Sequence, residues 1–250
     1  MPNPLVETVD LTKAYGPNVV VDHINLCIDE GEIFGFLGPN GAGKTTTILM
    51  LLGLAEPTSG EARIGGYVTN IHPMEVKRMT GYLPENVGFY DDMSPVENLA
   101  YITRLNGISD REAKPKIDEV LVTVGLDHVA NVKVGTFSKG MKQRLGIADV
   151  LVKDPRLVIL DEPTTGIDPA GVSQILDLIT VMAADRQITV LLCSHLLHHV
   201  QKVSDRVGII SRGKMIAQGT IDELSTQLTD GTQQVDLEEI YMKSFSEGIA

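Results

Sequence analysis

The sequence predicts an α/β fold, with an antiparallel β subdomain and an inserted α-helical subdomain built onto a phosphate-binding core. The first observation is a buried strand over residues 32–37, followed by a glycine-rich loop and a helix over 45–54. The second is the alternation of apolar and polar residues over 5–11 and 19–28, which is typical of half-buried antiparallel strands. The third is helical apolar spacing over 94–124, starting at a Ser-Pro-Val-Glu cap.

The glycine-rich loop fits the pattern of Gly, four residues, Gly-Lys-Ser/Thr, because it has the sequence GPNGAGKT. Its glycines let backbone N–H groups surround a polyphosphate, and the helix that follows directs the positive end of its dipole at the same anion. Lys44 can reach the β- and γ-phosphates, and the Thr45 hydroxyl can ligate Mg²⁺. The glycine spacing does not fit a dinucleotide-binding loop. The expected nucleotide-binding residues here are Gly38, Asn40, Gly41, Ala42, Gly43, Lys44, Thr45 and Thr46.

A second motif, LVILDEP at residues 157–163, ends four apolar residues with two carboxylates. The carboxyl end of a strand is where open parallel sheets bind ligands. Asp161 can hold Mg²⁺ directly or through water, and Glu162 can accept a proton from the water that attacks the γ-phosphate. The alternative is an acidic pair that caps the next helix.

Composition restricts the class of protein. The chain has 250 residues, 43% of them hydrophobic, and a net charge of −12, which disfavours nucleic acid as the main partner. No apolar stretch is long enough to cross a bilayer, and the N-terminus lacks a signal pattern. We therefore expect a cytoplasmic protein, or one held on a membrane by a partner. Cys27 and Cys193 are expected to be small buried hydrophobes.

Residues 137–145, FSKGMKQRL, lie just before the acidic strand. Together with the two preceding motifs they resemble the ATP-binding subunit of an ABC transporter, and the resemblance covers roughly residues 5–219. Ser138 and Gly140 match the family signature, usually Leu-Ser-Gly-Gly-Gln, whereas Lys139 and Met141 depart from it. The resemblance implies that this helix start presses on the γ-phosphate bound by the opposite subunit. The free N–H groups of a helix start favour such an anion.

The resemblance also implies roles for four further residues. Tyr15 lies where the family stacks adenine, although by itself it would be an ordinary loop tyrosine. Glu85 lies where the family usually has a Gln that contacts Mg²⁺, the attacking water and the transporter. Asp168 belongs to a loop that signals across the dimer, and His195 lies where a His touches the γ-phosphate. The implied catalytic residues are Lys44, Glu162 and His195, and the implied metal ligands are Thr45, Glu85 and Asp161.

His195 and His199 are four residues apart and could face a metal from one helix, but no third ligand is evident nearby. We therefore interpret His199 as a partly solvated helix residue.

The resemblance implies an ATPase that dimerises around two Mg-ATP molecules and drives transport, in the export direction if Glu85 marks an efflux type. A separate transmembrane permease subunit would hold it at the inner face of the membrane. The expected ATP-binding domain spans residues 1–220 with a helical insertion at about 87–152, and a tail over 221–250 carries an amphipathic stretch at 237–245.

Two other functions remain open. A soluble ABC-type ATPase acting on DNA or ribosomes is disfavoured by the acidic charge and by the 94 positions, without heptads, between Lys44 and Ser138. A small-molecule kinase would leave the signature-like segment unexplained.

Overall fold

The computed structural model describes residues 4–229, 238–239 and 241–242. In chain order the strands are β1 (Pro4–Tyr15), β2 (Asn18–Ile24), β3 (Cys27–Asp29), β4 (Ile33–Leu37), β5 (Ser59–Ile64), β6 (Tyr67–Val68), β7 (Thr80–Leu83), β8 (Leu157–Asp161), β9 (Thr189–Ser194), β10 (Arg206–Ser211) and β11 (Lys214–Gly219). The helices are α1 (Lys44–Leu51), α2 (Pro73–Met79), α3 (Pro95–Leu105), α4 (Asp110–Thr123), α5 (Lys139–Leu151), α6 (Pro169–Arg186), α7 (Leu197–Val203) and α8 (Ile221–Thr229).

The central sheet has six strands in the order β11–β10–β4–β9–β8–β7. All neighbours are parallel except β10 and β11, which form an antiparallel hairpin. Every residue of β4, β8 and β9 is buried, which explains their unbroken apolar runs. Because these strands are parallel, their carboxyl ends meet at one edge of the sheet.

The second sheet is antiparallel, in the order β2–β1–β5–β6, with β3 also paired to β1. It confirms the antiparallel strands expected near the N-terminus. Phe34 and Phe36 of β4 pack toward this sheet in one apolar cluster, whereas Ile33 and Leu37 point to the other face and join a second cluster. Because successive side chains of β4 point to opposite faces, this one strand packs in both apolar clusters.

Helices α3, α4 and α5 lie between β7 and β8, in the segment expected to be helical. Ser94 accepts a hydrogen bond from the Glu97 N–H while the Glu97 side chain accepts one from the Ser94 N–H, as the predicted capping box requires. Ser109 and Glu112 form the same box at the start of α4, a second helix start that the sequence analysis did not single out.

Two side chains beyond β11 pack in the core of the central sheet. Leu224 of α8 is buried in the second apolar cluster, and Tyr241 packs against it. Most of the predicted amphipathic stretch at 237–245 lies outside the described residues; 238–239 and 241–242 are helical. Over the described ranges, no helix combines the length and apolar character that a bilayer crossing requires.

The two cysteines differ, and the expectation of burial is wrong for Cys27. Cys193 lies within β9 and is fully buried, which raises the pKa of its thiol well above the usual value. Cys27 is exposed because β3 lies at a sheet edge, where Cys27 points outward and its neighbour Ile28 points into the core. Both are free thiols.

Gly35, in the middle of β4, allows α7 to lie directly on the sheet. A Cβ at this position would overlap Val200 Cγ1 and approach Ser204 Oγ to 2.9 Å. Since α7 begins two residues after His195, this close contact sets the height of the β9–α7 connection above the sheet.

We expect Gly35→Ala to destabilise the protein by about 1–3 kcal/mol, because an extra methyl group must displace packed side chains. That corresponds to a melting temperature lower by ~2–4 °C per kcal/mol for a chain of this size. Gly88→Ala is the control, since a Cβ at Gly88 meets nothing within 4 Å. Thermal unfolding followed by circular dichroism measures both, and equal melting temperatures for the two variants would contradict this packing.

Candidate functional site

The loop between β4 and α1 needs its glycines. Gly41 and Gly43 have φ of 81° and 109°, in the left-handed region that other residues rarely adopt. At Gly43 a Cβ would also lie 2.8 Å from the Val20 carbonyl oxygen, and at Gly38 it would overlap the carbonyl oxygen of Ile210. The glycines therefore let the backbone curve tightly while it touches the strands on both sides.

Lys44 is the first residue of α1, and only 7% of its side chain is exposed. Its Nζ donates hydrogen bonds to the carbonyl oxygens of Gly38 at 2.6 Å and Pro39 at 3.3 Å. It also lies 3.7 Å from Glu162 Oε1, close enough for an ion pair but not for a hydrogen bond. An ammonium group is thus fixed at the mouth of the loop, where a phosphate would meet it.

Asp161 ends β8 and faces the start of α1. Its Oδ2 accepts a hydrogen bond from the Thr45 hydroxyl at 3.3 Å. Burial raises the pKa of Asp161, and the Thr45 hydrogen bond opposes that shift. Burial also raises the pKa of Tyr82, on the neighbouring strand, to about 12, with the Asp161 charge adding to the effect.

Oxygen donors for a hard cation come together here. The Thr45 hydroxyl and the Asp161 and Glu85 carboxylates line one pocket, and oxygen is the ligand type that Mg²⁺ prefers. These residues fit a Mg²⁺ ion that shares its coordination with phosphate oxygens. Within the described part of the chain, no three His, Cys, Asp or Glu side chains come together to hold a metal by themselves.

Glu162 presents its two carboxylate oxygens differently. Oε2 lies 2.9 Å from His195 Nδ1 and accepts hydrogen bonds from the hydroxyls of Thr165 at 3.3 Å and Ser194 at 3.4 Å. Oε1 is buried without a hydrogen-bond partner among the described residues, and it is the oxygen that faces Lys44. One oxygen thus anchors the side chain, and the other is available to accept a hydrogen bond.

The backbone of Glu162 has a φ of 52°, which is uncommon for a residue other than glycine. Its N–H is held by the Cys193 carbonyl oxygen at 2.9 Å, which continues the pairing of β8 with β9 for one residue. This turn brings the Glu162 side chain back over the sheet edge.

The histidines after β9 take separate partners. His195 contacts Glu162, whereas His199 Nδ1 lies 2.9 Å from the Thr164 hydroxyl. Burial, followed by the neighbouring His198 and His195, lowers the pKa of His199. The two imidazoles therefore contact different residues of the loop after β8.

The structure brings part of the predicted residue set around one pocket of about 160 Å³. The predicted residues that line it are Asn40, Gly41, Gly43, Lys44, Thr45, Thr46, Glu85, Asp161 and Glu162, together with Val20 and Pro39. Gly38 and Ala42 belong to the loop but not to the lining, and His195 reaches the pocket through Glu162. A larger cavity of about 580 Å³ lies elsewhere, and its charged side chains include Arg156, which is paired with Glu30.

Four further predicted residues do not line this pocket. Ser138 caps α5, its Oγ accepting a hydrogen bond from the Met141 N–H at 3.3 Å. Asp168 caps α6 by accepting from the N–H groups that follow it. Gly140 packs near the loop that leads to Asp168, with Ile167 Cγ2 3.4 Å from where a Cβ would lie. Tyr15 is 52% exposed, and Lys13 Nζ lies 5.0 Å from its ring centroid.

Sequence reasoning missed the hydroxyl groups around Glu162 and His199. Ser194, Thr165 and Thr164 supply these contacts. The available signal was position, because Ser194 ends β9 directly before His195, and the two threonines directly follow the acidic motif.

A phosphate-binding loop next to an acidic strand end, on the carboxyl edge of a parallel sheet, defines a P-loop NTPase. Comparisons with known proteins identify the family within this class to which the chain belongs. The family model described as ABC transporter matches residues 21–165. The chain belongs to the ABC transporter family, among its ATP-binding subunits.

The relatives are consistent with this assignment. The bacitracin transport ATP-binding protein BcrA of Bacillus licheniformis is 47% identical over 88% of this chain and 71% of its own length. The linearmycin resistance ATP-binding protein LnrL of Bacillus subtilis is 40% identical over 91% of this chain and 73% of its own. A solved ATP-binding subunit of an ABC transporter superposes with a TM-score of 0.85 at 30% identity, over 96% of this chain and 99% of that one.

We expect Lys44→Ala to lower ATP affinity at least about tenfold and to abolish hydrolysis, because one charge-assisted hydrogen bond contributes ~1.5–3 kcal/mol. Titration with a fluorescent ATP analogue in the presence of Mg²⁺ measures affinity, and phosphate release measures turnover. The control is Lys77→Ala, which removes an exposed lysine of α2. Wild-type affinity and turnover in Lys44→Ala would contradict the placement of the phosphates.

Proposed function

We propose that this chain hydrolyses Mg-ATP at the pocket described above and drives transport through a separate membrane-embedded subunit. The observation that carries the proposal is the grouping of Lys44, Thr45, Asp161 and Glu162 around one pocket at the sheet edge. Each supplies a group that phosphoryl transfer to water needs. Lys44 supplies a cation for the phosphates, Thr45 and Asp161 supply oxygen ligands for a metal, and Glu162 supplies a proton acceptor.

The loop would bind the substrate chiefly by charge. Backbone N–H groups of residues 41–46 and the Lys44 ammonium neutralise the β- and γ-phosphates, and their preorganisation lowers the cost of reaching a more charged transition state. Thr45, Asp161 and Glu85 would hold Mg²⁺, which when bound neutralises further phosphate charge. Glu85 brings a full negative charge where a neutral amide is usual in the family, so it adds attraction for the cation.

Glu162 would act as the general base. The contacts to Oε2 fix the carboxylate so that Oε1 can accept a proton from a water molecule placed in line with the γ-phosphate. His195 would be the positioning group in this arrangement, because it contacts Glu162 but does not itself line the pocket.

Each site would be completed by a second chain. Ser138 and Gly140 lie at the start of a helix outside the pocket lining, and they would meet the γ-phosphate bound by another copy or by a paired subunit. A two-fold arrangement would create two equal sites. Bound Mg-ATP would then hold together two subunits that each carry a net charge of −12.

Two further residues have proposed roles in this arrangement. Tyr15, which is exposed, would be the stacking surface for adenine. Asp168 would contact the site of the partner subunit.

The direction of transport and the cellular location of the subunit are inferred from similarity to its relatives. The relatives named for bacitracin transport and linearmycin resistance support an efflux role, at the cytoplasmic face of the membrane next to a permease. The acidic net charge disfavours nucleic acid as the main partner.

We expect Glu162→Gln to bind ATP but to hydrolyse it at least ~10²-fold more slowly, the usual scale for loss of a general base. ATP-bound dimers should accumulate, because hydrolysis is the step that separates them. Light scattering with ATP and then with ADP measures the mass, and Glu75→Gln on α2 is the control. Turnover close to that of wild type would contradict the role of Glu162.

We expect a mixture of two inactive variants, Lys44→Ala and Ser138→Arg, to recover ATPase activity. In a mixed dimer one site receives both lesions and the other receives neither, if Ser138 is supplied in trans. The matched control is Lys44→Ala mixed with Glu162→Gln, which should stay inactive because those two residues serve the same site. Cross-linking with ATP verifies that mixed dimers form. Mixed dimers that never form with ATP, or equal activity in both mixtures, would contradict a shared site.

A further inference from the structure

The pocket at the phosphate loop is lined by more negative side chains than positive ones. Its charged lining consists of Lys44, Glu85, Asp161 and Glu162. Three carboxylates therefore surround a space that holds one ammonium group. A nucleoside triphosphate without a metal brings further negative charge into the same space, so the pocket that has to bind its phosphates also repels them.

The one ammonium group is already engaged by the protein. Lys44 Nζ donates hydrogen bonds to the carbonyl oxygens of Gly38 and Pro39, and it lies 3.7 Å from Glu162 Oε1. Both members of this ion pair are less than a tenth exposed, so solvent screens their attraction only weakly. The positive charge of Lys44 is thus largely balanced by Glu162, and it does not also balance the other two carboxylates.

Asp161 and Glu85 are the carboxylates that remain. Of the charged side chains in the pocket lining, only those of Lys44 and Glu162 lie within ion-pair distance of an opposite charge in the described part of the chain. Asp161 accepts a hydrogen bond from the Thr45 hydroxyl, which is a neutral donor. Burial raises the pKa of Asp161, and the charges of Glu162 and Glu85 add to that shift. Glu85 therefore lies near enough to Asp161 for the two charges to interact.

We propose that this pocket selects the complex of ATP with a divalent cation and rejects metal-free ATP, with Glu85 as the residue that determines this selectivity. The loop N–H groups attract phosphate at one side of the pocket. Repulsion is concentrated at the other side, where Glu85 and Asp161 lie, and a divalent cation supplies the positive charge missing there. The selectivity rests on the proposed function, because it concerns the form in which the substrate enters the same pocket.

Glu85 allows the effect of charge to be separated from that of metal coordination. Asp161 and Glu162 are 5% and 8% exposed, whereas Glu85 is an exposed residue. A glutamine at position 85 keeps the length of the side chain and an oxygen that can ligate a cation, but it removes the negative charge. Because Glu85 is exposed, salt should screen its repulsion of phosphate.

The test titrates wild type and Glu85→Gln with a fluorescent ATP analogue, in excess Mg²⁺ and in excess EDTA at equal ionic strength. Wild type should bind the metal-free analogue at least about tenfold more weakly than the Mg²⁺ complex. Glu85→Gln should bind the metal-free analogue about tenfold more tightly than wild type does, since one repulsive charge is gone. This gain should shrink as the salt concentration rises. A damaged fold would lower affinity, so a gain reports on charge.

The matched control is Glu75→Gln, which removes a carboxylate of α2 outside the pocket and should bind both forms of the analogue as wild type does. Equal affinity of wild type for the two forms would overturn the proposal, and so would a metal-free affinity that Glu85→Gln leaves unchanged. Failure of wild type to bind the Mg²⁺ complex would contradict the proposed function itself. Binding of that complex, combined with either of the first two results, would contradict only the selectivity.

Discussion

The parallel register of β4, β8 and β9 is the constraint on which the site depends. Leu37 pairs with Ser194, and Asp161 pairs with Cys193, so three strands end within one residue of each other. The phosphate loop, the acidic pair and His195 follow directly from those ends. A slip of one residue in either pairing would turn the side chains to the other face of the sheet and separate Lys44 from Glu162.

The charges at this edge are held in a largely buried environment. Lys44 and Glu162 are both less than a tenth exposed, and burial raises the pKa of Asp161. The loop carbonyl groups hold the lysine, and the Ser194, Thr165 and His195 side chains hold the glutamate. Because these groups are already oriented, they can stabilise phosphate charge without a large reorganisation when the reaction occurs.

Local motifs made much of this structure predictable. GPNGAGKT follows a strand directly and opens a helix, and LVILDEP contains a strand that ends in two carboxylates, so each motif indicates its local structure from the sequence alone. Contacts between distant segments were not predictable in the same way. The hydroxyls around Glu162 come from positions 165 and 194, and their contacts depend on the register of two strands. Cys27 was misjudged because the apolar run around it does not reveal that β3 is a three-residue edge strand.

The central claim is that this sheet edge binds the phosphates of Mg-ATP and that a second chain completes the site. The most direct measurement is an experimental structure of Glu162→Gln with Mg-ATP bound. The account predicts a two-fold dimer in which the γ-phosphate lies between Lys44 of one chain and Ser138 of the other, with the metal next to Thr45 and Asp161. A nucleotide bound away from Lys44, or enclosed by a single chain with no contribution from a second Ser138, would contradict it.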